Sequence, residues 1–288
     1  MPLSDYVQLM KLRIAGLLLL VAAAGYVATN GLRIDPLRFG ALMVSGLLAS
    51  GGASATNHYV DRDLDGKMRR TRARPLPTRR IDPAWKALGF GLGLTGIALA
   101  LAALLINGLA AGMIALGFAF YVGVYTLGLK RTHASNIVIG GFAGSCPALA
   151  GSAAAADALS LPALLIGLLV FLWTPGHFWA LAYRARDDYR SAGIPMLPAV
   201  RDERTTVRAI AVSMATLPAS TLAFALAPSF NTPAYVGVAV AAGVVLIALT
   251  ARFVRHPSAE TALAGYRYSG VYLALILAGM MVSAIVAA

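Results

Sequence analysis

What constrains this chain most is a succession of apolar runs long enough to cross a lipid bilayer. Reading between polar breaks gives nine of them, near 12–29, 40–58, 84–106, 109–129, 135–155, 161–183, 207–228, 234–252 and 268–287. Each approaches the roughly 20 residues that carry an α-helix across the hydrocarbon core. The composition agrees, with 59% hydrophobic and 12% charged residues and a mean hydropathy of +0.74. Those values exclude an ordinary soluble enzyme, and the long apolar blocks exclude disorder and fibrous repeats. The expected fold is an all-α integral membrane protein of nine transmembrane helices, with 1–288 as one domain.

The charges fix its sidedness. Breaks at 30–39, 107–108, 156–160 and 229–233 are short and nearly uncharged, whereas those at 59–83, 130–134, 184–206 and 253–267 are longer and basic. Of 24 Lys and Arg only Arg33 and Arg38 fall on the short-loop side, and of 12 acids only Asp35 and Asp157. The entire net charge of +12 therefore lies on the other face, which the positive-inside rule makes cytoplasmic. The N-terminus is expected on that side and the C-terminus on the outer side. Topology thus accounts for the basic excess, and no nucleic-acid partner is expected. The single cysteine, Cys146, excludes an intrachain disulfide. The opening MPLSDYVQLMKLRI lacks the charged, apolar and small-residue triplet of a cleavable signal, so the first helix is expected to be retained.

A weak internal echo joins two basic loops. NHYVDRDLDGKMRRTRARPLP follows the second run and AYRARDDYRSAGIPMLP the sixth, each passing from acids through arginines to a proline stop. Four spans separate them, so both face the cytoplasm. This pattern suggests a four-helix unit used twice, 12–129 and 135–252, with a final helix at 268–287.

Within the first loop Asn57, Asp61 and Asp65 stand four residues apart. On a helix each such step advances the side chain about 40° beyond a full turn, so the three form one stripe, and Asp63 points to the opposite face. Oxygen ligands in this pattern suit a hard divalent cation, Mg²⁺ above all, which takes few carboxylates and completes its shell with phosphate and water. Asp187 and Asp188 provide a second acidic cluster on the same side. The two clusters are expected to face each other across a cavity and hold Mg²⁺ bridged to a diphosphate. The plainer reading, acids that only neutralise loop arginines, fits a single acid better than two matched clusters at helix ends beside a membrane. Lys130 and Arg131 close the fourth run, Lys11 and Arg13 open the first, and topological anchoring explains most such residues. Arg70, Arg72 and Arg74 stand just behind the stripe, where bidentate pairing with phosphate or carboxylate is within their chemistry.

NHYVDRDLD resembles the NxxxDxxxD signature of UbiA-type intramembrane prenyltransferases, whose fold is a helical bundle around a central cavity. Within that family the closer resemblance is to the heme O synthases. It runs through Asn57 to Asp65, Met68, Arg70, Thr71, Arg74 to Leu76, Tyr125, Lys130 to Thr132, Asn136 to Gly141, Trp173 to Pro175, His177 to Ala182, and Asp188 to Pro198. The matches cover about 11–200, and their joint occurrence is far more specific than any one alone. Leu12, Gly176 and Ala148 depart from prolines usual in the family, and DDY replaces the DxxxD of other UbiA-type enzymes.

The resemblance implies farnesyl diphosphate as donor and heme B as acceptor, with Mg²⁺ held by Asp61, Asp65, Asp187 and Asp188. It implies Asn57, Asp61, Asp65 and Asp188 as the catalytic set, and Lys130, Arg131, Arg13 and Arg70 on the phosphates. Tyr59, Tyr125 and Tyr189 offer faces to an allylic cation. For the acceptor the candidates are His177, between tryptophans in WTPGHFWALAY, with Trp173 beside it and Arg74 on a propionate. His58 lies off the Asn57–Asp61 stripe by register, and His133 and His256 read as loop residues. The cell (inner) membrane is the implied location, and a downstream heme-modifying enzyme or terminal oxidase assembly the implied protein partner. Two rivals stay open at this level. One is a UbiA-type enzyme acting on an aromatic quinone precursor, the other a cation-coupled transporter with the acids as its ion path.

Overall fold

The computed structural model describes residues 3–287. Along the chain run α1 (Leu3–Leu9), α2 (Leu12–Asn30), α3 (Pro36–Val60), α4 (Arg62–Lys67), α5 (Trp85–Leu105) and α6 (Gly108–Phe118). Helix α6 continues in wide π-turns over Ala119–Leu129, followed by α7 (Asn136–Gly140), α8 (Cys146–Ala156), α9 (Leu161–Arg184), α10 (Arg186–Ser191) and α11 (Leu197–Val200). The last three are α12 (Glu203–Phe224), α13 (Pro233–Arg255) and α14 (Ala259–Ala287). Among the described residues there is no strand, and nine stretches are long and apolar enough to cross a membrane. That is the number the apolar runs give. Helix α14 starts nine residues earlier than its apolar run, carrying Tyr266 and Arg267 inside the helix. The fifth span is interrupted by a 3₁₀ turn at Gly141–Gly144 between α7 and α8.

The short-loop ends are fixed by local chemistry. Asp35, Asn107, Ser160 and Thr232 each cap the helix that follows, their side chains accepting from free backbone N–H groups of the first turn. Pro36, Pro162 and Pro233 sit at the first or second helical position, where no N–H partner is needed. Arg38 donates to Asp157 at 2.9 Å, and Asn107 Nδ2 donates to Asp157 at 2.6 Å. Three of the four charges at this end are therefore spent on holding loops together.

Helices pack through small residues where backbones must approach, as expected where lipid offers no hydrophobic drive. A Cβ on Gly25 would strike the Ala148 carbonyl, and one on Gly151 the Ala22 carbonyl, so α2 and α8 cross in direct backbone contact. Gly52 and Gly91 do the same for α3 and α5. The larger apolar core joins α9, α12, α13 and α14 through Ile166, Leu169, Leu217, Leu246, Tyr272 and Leu273. Large apolar side chains such as Leu104, Val212 and Val244 point outward, the arrangement of a surface that meets lipid. The basic-loop ends of α3, α6 and α9 carry the charged residues to one place.

Candidate active site

Helix α3 ends at Val60, yet its turn runs on. Asp61 N donates to the Asn57 carbonyl at 2.9 Å, and Asp65 N to the Asp61 carbonyl at 2.8 Å, leading directly into α4. The stripe of Asn57, Asp61 and Asp65 is thereby kept, and all three are buried. Asn57 Nδ2 donates to Asp61 Oδ2 at 2.6 Å and to Thr126 Oγ1 at 3.1 Å. Asp63 faces the other way, more than half exposed, and is bound by Arg131 through two bonds of 2.9 and 2.8 Å. The Arg131 guanidinium beside it holds the Asp63 carboxyl below the usual carboxylate range, and Arg131 itself is raised by the same pair.

Each stripe carboxylate has its own cation. Lys130 Nζ pairs with Asp61 Oδ2, and Arg74 Nη1 reaches both Asp65 oxygens at 2.9 Å. Lys11 completes the group, its Nζ donating to Asn57 Oδ1 at 3.4 Å. The backbone at Lys11 is left-handed (φ 49°, ψ 57°), which breaks α1 from α2 and turns this side chain inward. Burial first, then the charges of Arg74 and Lys130, lower the Lys11 ammonium from its ordinary value to about 7.

The π-turns set the opposite wall. Lys130 N donates to the Tyr125 carbonyl and Thr126 Oγ1 to the Tyr121 carbonyl, both five residues back, a geometry that recurs at functional sites. Tyr121 and Tyr125 stack at 5.8 Å, with Lys130 Nζ 5.8 Å from the Tyr125 ring centre. Gly140 lets Tyr125 lie directly on α7, since a Cβ there would enter the ring.

The second acidic cluster divides. Asp188 turns inward, its side chain 16% exposed, and accepts from Arg70 N at 3.2 Å. Asp187 is 82% exposed and meets only Arg190, at 3.9 Å. The Met68–Arg74 loop links the clusters, with Arg70 N on Asp188, Thr71 Oγ1 on the Asp65 carbonyl and Arg74 on the Asp65 carboxylate. Asn57, Asp61, Asp65, Lys130 and Arg74 are thus brought together, with Asp188 joined to them through this loop.

Other expected residues lie differently. Arg13 is exposed one residue past the start of α2, and the inward cation of that segment is Lys11. Arg131 is held by Asp63 and also lies 3.8 Å from Asp61 Oδ1, at the edge of the stripe, and the Arg70 side chain is exposed. Arg74, expected on a heme propionate, is engaged by Asp65. Trp173 and His177 belong to the α9–α14 seam. The two rings stack at 4.0 Å, Tyr266 lies 4.4 Å from His177, Trp173 Nε1 donates to the Ser269 carbonyl, and His177 Nδ1 bonds Ser269 Oγ at 2.8 Å.

Among the described residues no three His, Cys or acidic side chains gather closely enough to form a metal cage by themselves. The donors present are hard oxygens in a short stripe, which fits a cation that relies on phosphate and water for most of its shell. The UbiA prenyltransferase family matches residues 18–285.

The chain belongs to the UbiA prenyltransferase family.

It is 40% identical over 290 residues to protoheme IX farnesyltransferase 1 of Cenarchaeum symbiosum, covering 99% of this chain and 97% of that one. Among solved structures it resembles a digeranylgeranylglyceryl phosphate synthase (TM-score 0.80, 18% identity, 98% of both chains). It also resembles a UbiA homolog from Archaeoglobus fulgidus bound to DMAPP and Mg²⁺ (TM-score 0.71, 16% identity, 97% of this chain and 99% of that one). The chain is therefore a multi-pass membrane protein with the UbiA fold.

Sequence reasoning missed Lys11 as part of the site, because a lysine before an apolar run reads as an anchor. The left-handed kink that turns it inward leaves no signature in residue type. His58 was also set aside. On α3 it stands about 60° from Asp61 and three residues back. His58 accordingly lies within electrostatic reach of Lys11, Arg74 and Lys130.

Proposed function

We propose that this UbiA-family chain transfers the farnesyl group of farnesyl diphosphate to a vinyl group of heme B, giving heme O. The observation that carries this reading is the nearly full-length likeness to protoheme IX farnesyltransferases, 40% identity across 99% of the chain, over a site with the required charges. Family membership removes the transporter rival, and the quinone alternative has no comparable support. A mass spectrum of hemes from cells with and without the chain tests it. Heme O should appear only with the chain, and its absence would refute the assignment.

Asp61 and Asp65, with Asn57 beside them and Asp188 across the Met68–Arg74 loop, would hold Mg²⁺, and Asp187 takes no part. Bound there, a divalent cation neutralises diphosphate oxygens and makes the group a better leaving group. Three acids, Asp61, Asp65 and Asp188, stand against three bases, Lys11, Lys130 and Arg74, so the charges nearly cancel. A dication offsets most of the negative charge that a diphosphate brings, so the two are expected to enter together. Lys11 and Lys130 then meet the diphosphate oxygens as charge builds on them while the allylic C–O bond opens. The stacked faces of Tyr121 and Tyr125 stabilise the allylic cation on its apolar side. On the acceptor side, the Ser269 bond to His177 Nδ1 leaves Nε2 to meet the porphyrin, with Trp173 against the ring. We further propose an inner-membrane location with the basic loops cytoplasmic, one transmembrane domain, and a heme-modifying enzyme or oxidase assembly downstream.

A further inference from the structure

Directly beneath the carboxylates, toward the membrane interior, lie polar atoms that the protein leaves unsatisfied. Both ring nitrogens of His58 are buried without a hydrogen-bond partner, and so is the hydroxyl of Ser54, one helical turn deeper on the same face of α3. Both residues are nearly fully buried, at 2% and 6% exposure. Buried polar groups are almost always bonded, so an orphaned trio on one face marks a place where something polar belongs. The register of α3 puts His58 about 60° from Asp61, and it lies within electrostatic reach of Lys11, Arg74 and Lys130. A neutral imidazole offers one donor and one acceptor, and a serine hydroxyl offers both. Together they supply the two to four partners that hold a buried water.

We propose that His58 and Ser54 position the water molecule consumed in the transfer. The inference rests on the heme farnesylation reading. In that reaction the allylic C–O bond breaks and its electron pair leaves with diphosphate. The outer vinyl carbon bonds to the farnesyl carbon, and the inner vinyl carbon, left cationic beside the porphyrin, takes a lone pair of the water. The surplus proton of that water goes to the departed diphosphate, so His58 ends in the state in which it began. Bonded to His58 and Ser54, the water is held for the second cation. Without it, that cation loses a proton from the neighbouring carbon to the diphosphate, and the product is an alkene lighter by one water.

The test is the product ratio in purified protein given heme B and farnesyl diphosphate, with diphosphate release followed in parallel. His58→Leu should raise the ratio of dehydrated to hydroxylated farnesyl heme by about tenfold, the scale of one lost hydrogen bond. Diphosphate should still be released. Ser54→Ala should shift the ratio the same way by less, and His58→Gln, which keeps a donor and an acceptor, should restore it. If His58→Leu does not fold, Ser54→Ala and His58→Gln decide the matter by the same ratio. An unchanged ratio with slower turnover would overturn the water site alone. Failure of the unaltered protein to farnesylate heme would refute the underlying activity, and this inference with it.

Discussion

Asp61 and Asp63 are two residues apart in one short segment, and the account assigns them opposite consequences. Asp61 is 1% exposed, accepts from Asn57 at 2.6 Å and pairs with Lys130. Asp61→Ala removes a buried carboxylate whose charge-assisted bonds are worth about 1.5–3 kcal/mol each and strands Lys130 without its partner. It also removes a metal-binding oxygen, and losing one preorganised electrostatic element of this kind costs about 10²–10³ in rate. Turnover should therefore fall to background. Asp63 is more than half exposed and bound only to Arg131, a surface pair worth roughly 0–1 kcal/mol. Asp63→Ala should keep turnover within about threefold of the starting protein, because an exposed pair of that size shifts a rate by little more. The assay is diphosphate release from purified protein in lipid vesicles, with correct insertion checked by protease protection. Equal loss at the two positions would refute the stripe and with it the placement of the metal.

Three further outcomes follow from the same geometry. His177→Ala should lower heme affinity or shift the Soret band while diphosphate binding persists, as titration of each ligand will report; an unchanged spectrum and affinity would return His177 to simple packing with α14. Lys11 has a lowered value of about 7, and a bound diphosphate favours its charged form. Affinity should then be insensitive to this group below pH 7 and fall above it, and Lys11→Arg should flatten that slope relative to the unaltered protein. Cysteine labelling in a Cys146→Ser background should place 59–83 and 184–206 on the same membrane side as the N-terminus; opposite-side labelling would break the shared site.

The nine spans were legible because lipid imposes a length and an apolarity that sequence displays directly. Span starts at 161 and 234 were legible to within a residue, whereas α3 begins at Pro36, four residues before its apolar run, because Asp35 caps it. The Asn57–Asp61–Asp65 stripe was legible because the backbone bonds from Asp61 to Asn57 and from Asp65 to Asp61 hold across the change from α3 to α4. The remainder depends on features residue types do not encode. A left-handed kink aims Lys11, π-turns aim Lys130 and Tyr125, and packing buries His58 beside the cations. Asp187 and Asp188 look alike in sequence, and only the fold of the Met68–Arg74 loop turns Asp188 inward. Arg13 and Arg70 have the right chemistry for phosphate and lie exposed, while Arg131 spans Asp63 and Asp61, an arrangement that residue type does not reveal.

The central claim is the transfer itself. Purified protein in vesicles, supplied with Mg²⁺, heme B and farnesyl diphosphate labelled in its prenyl chain, should place the label in a heme that carries hydroxyethylfarnesyl. Label that stays in farnesol, or passes to an aromatic acceptor while heme remains unlabelled, would contradict the account.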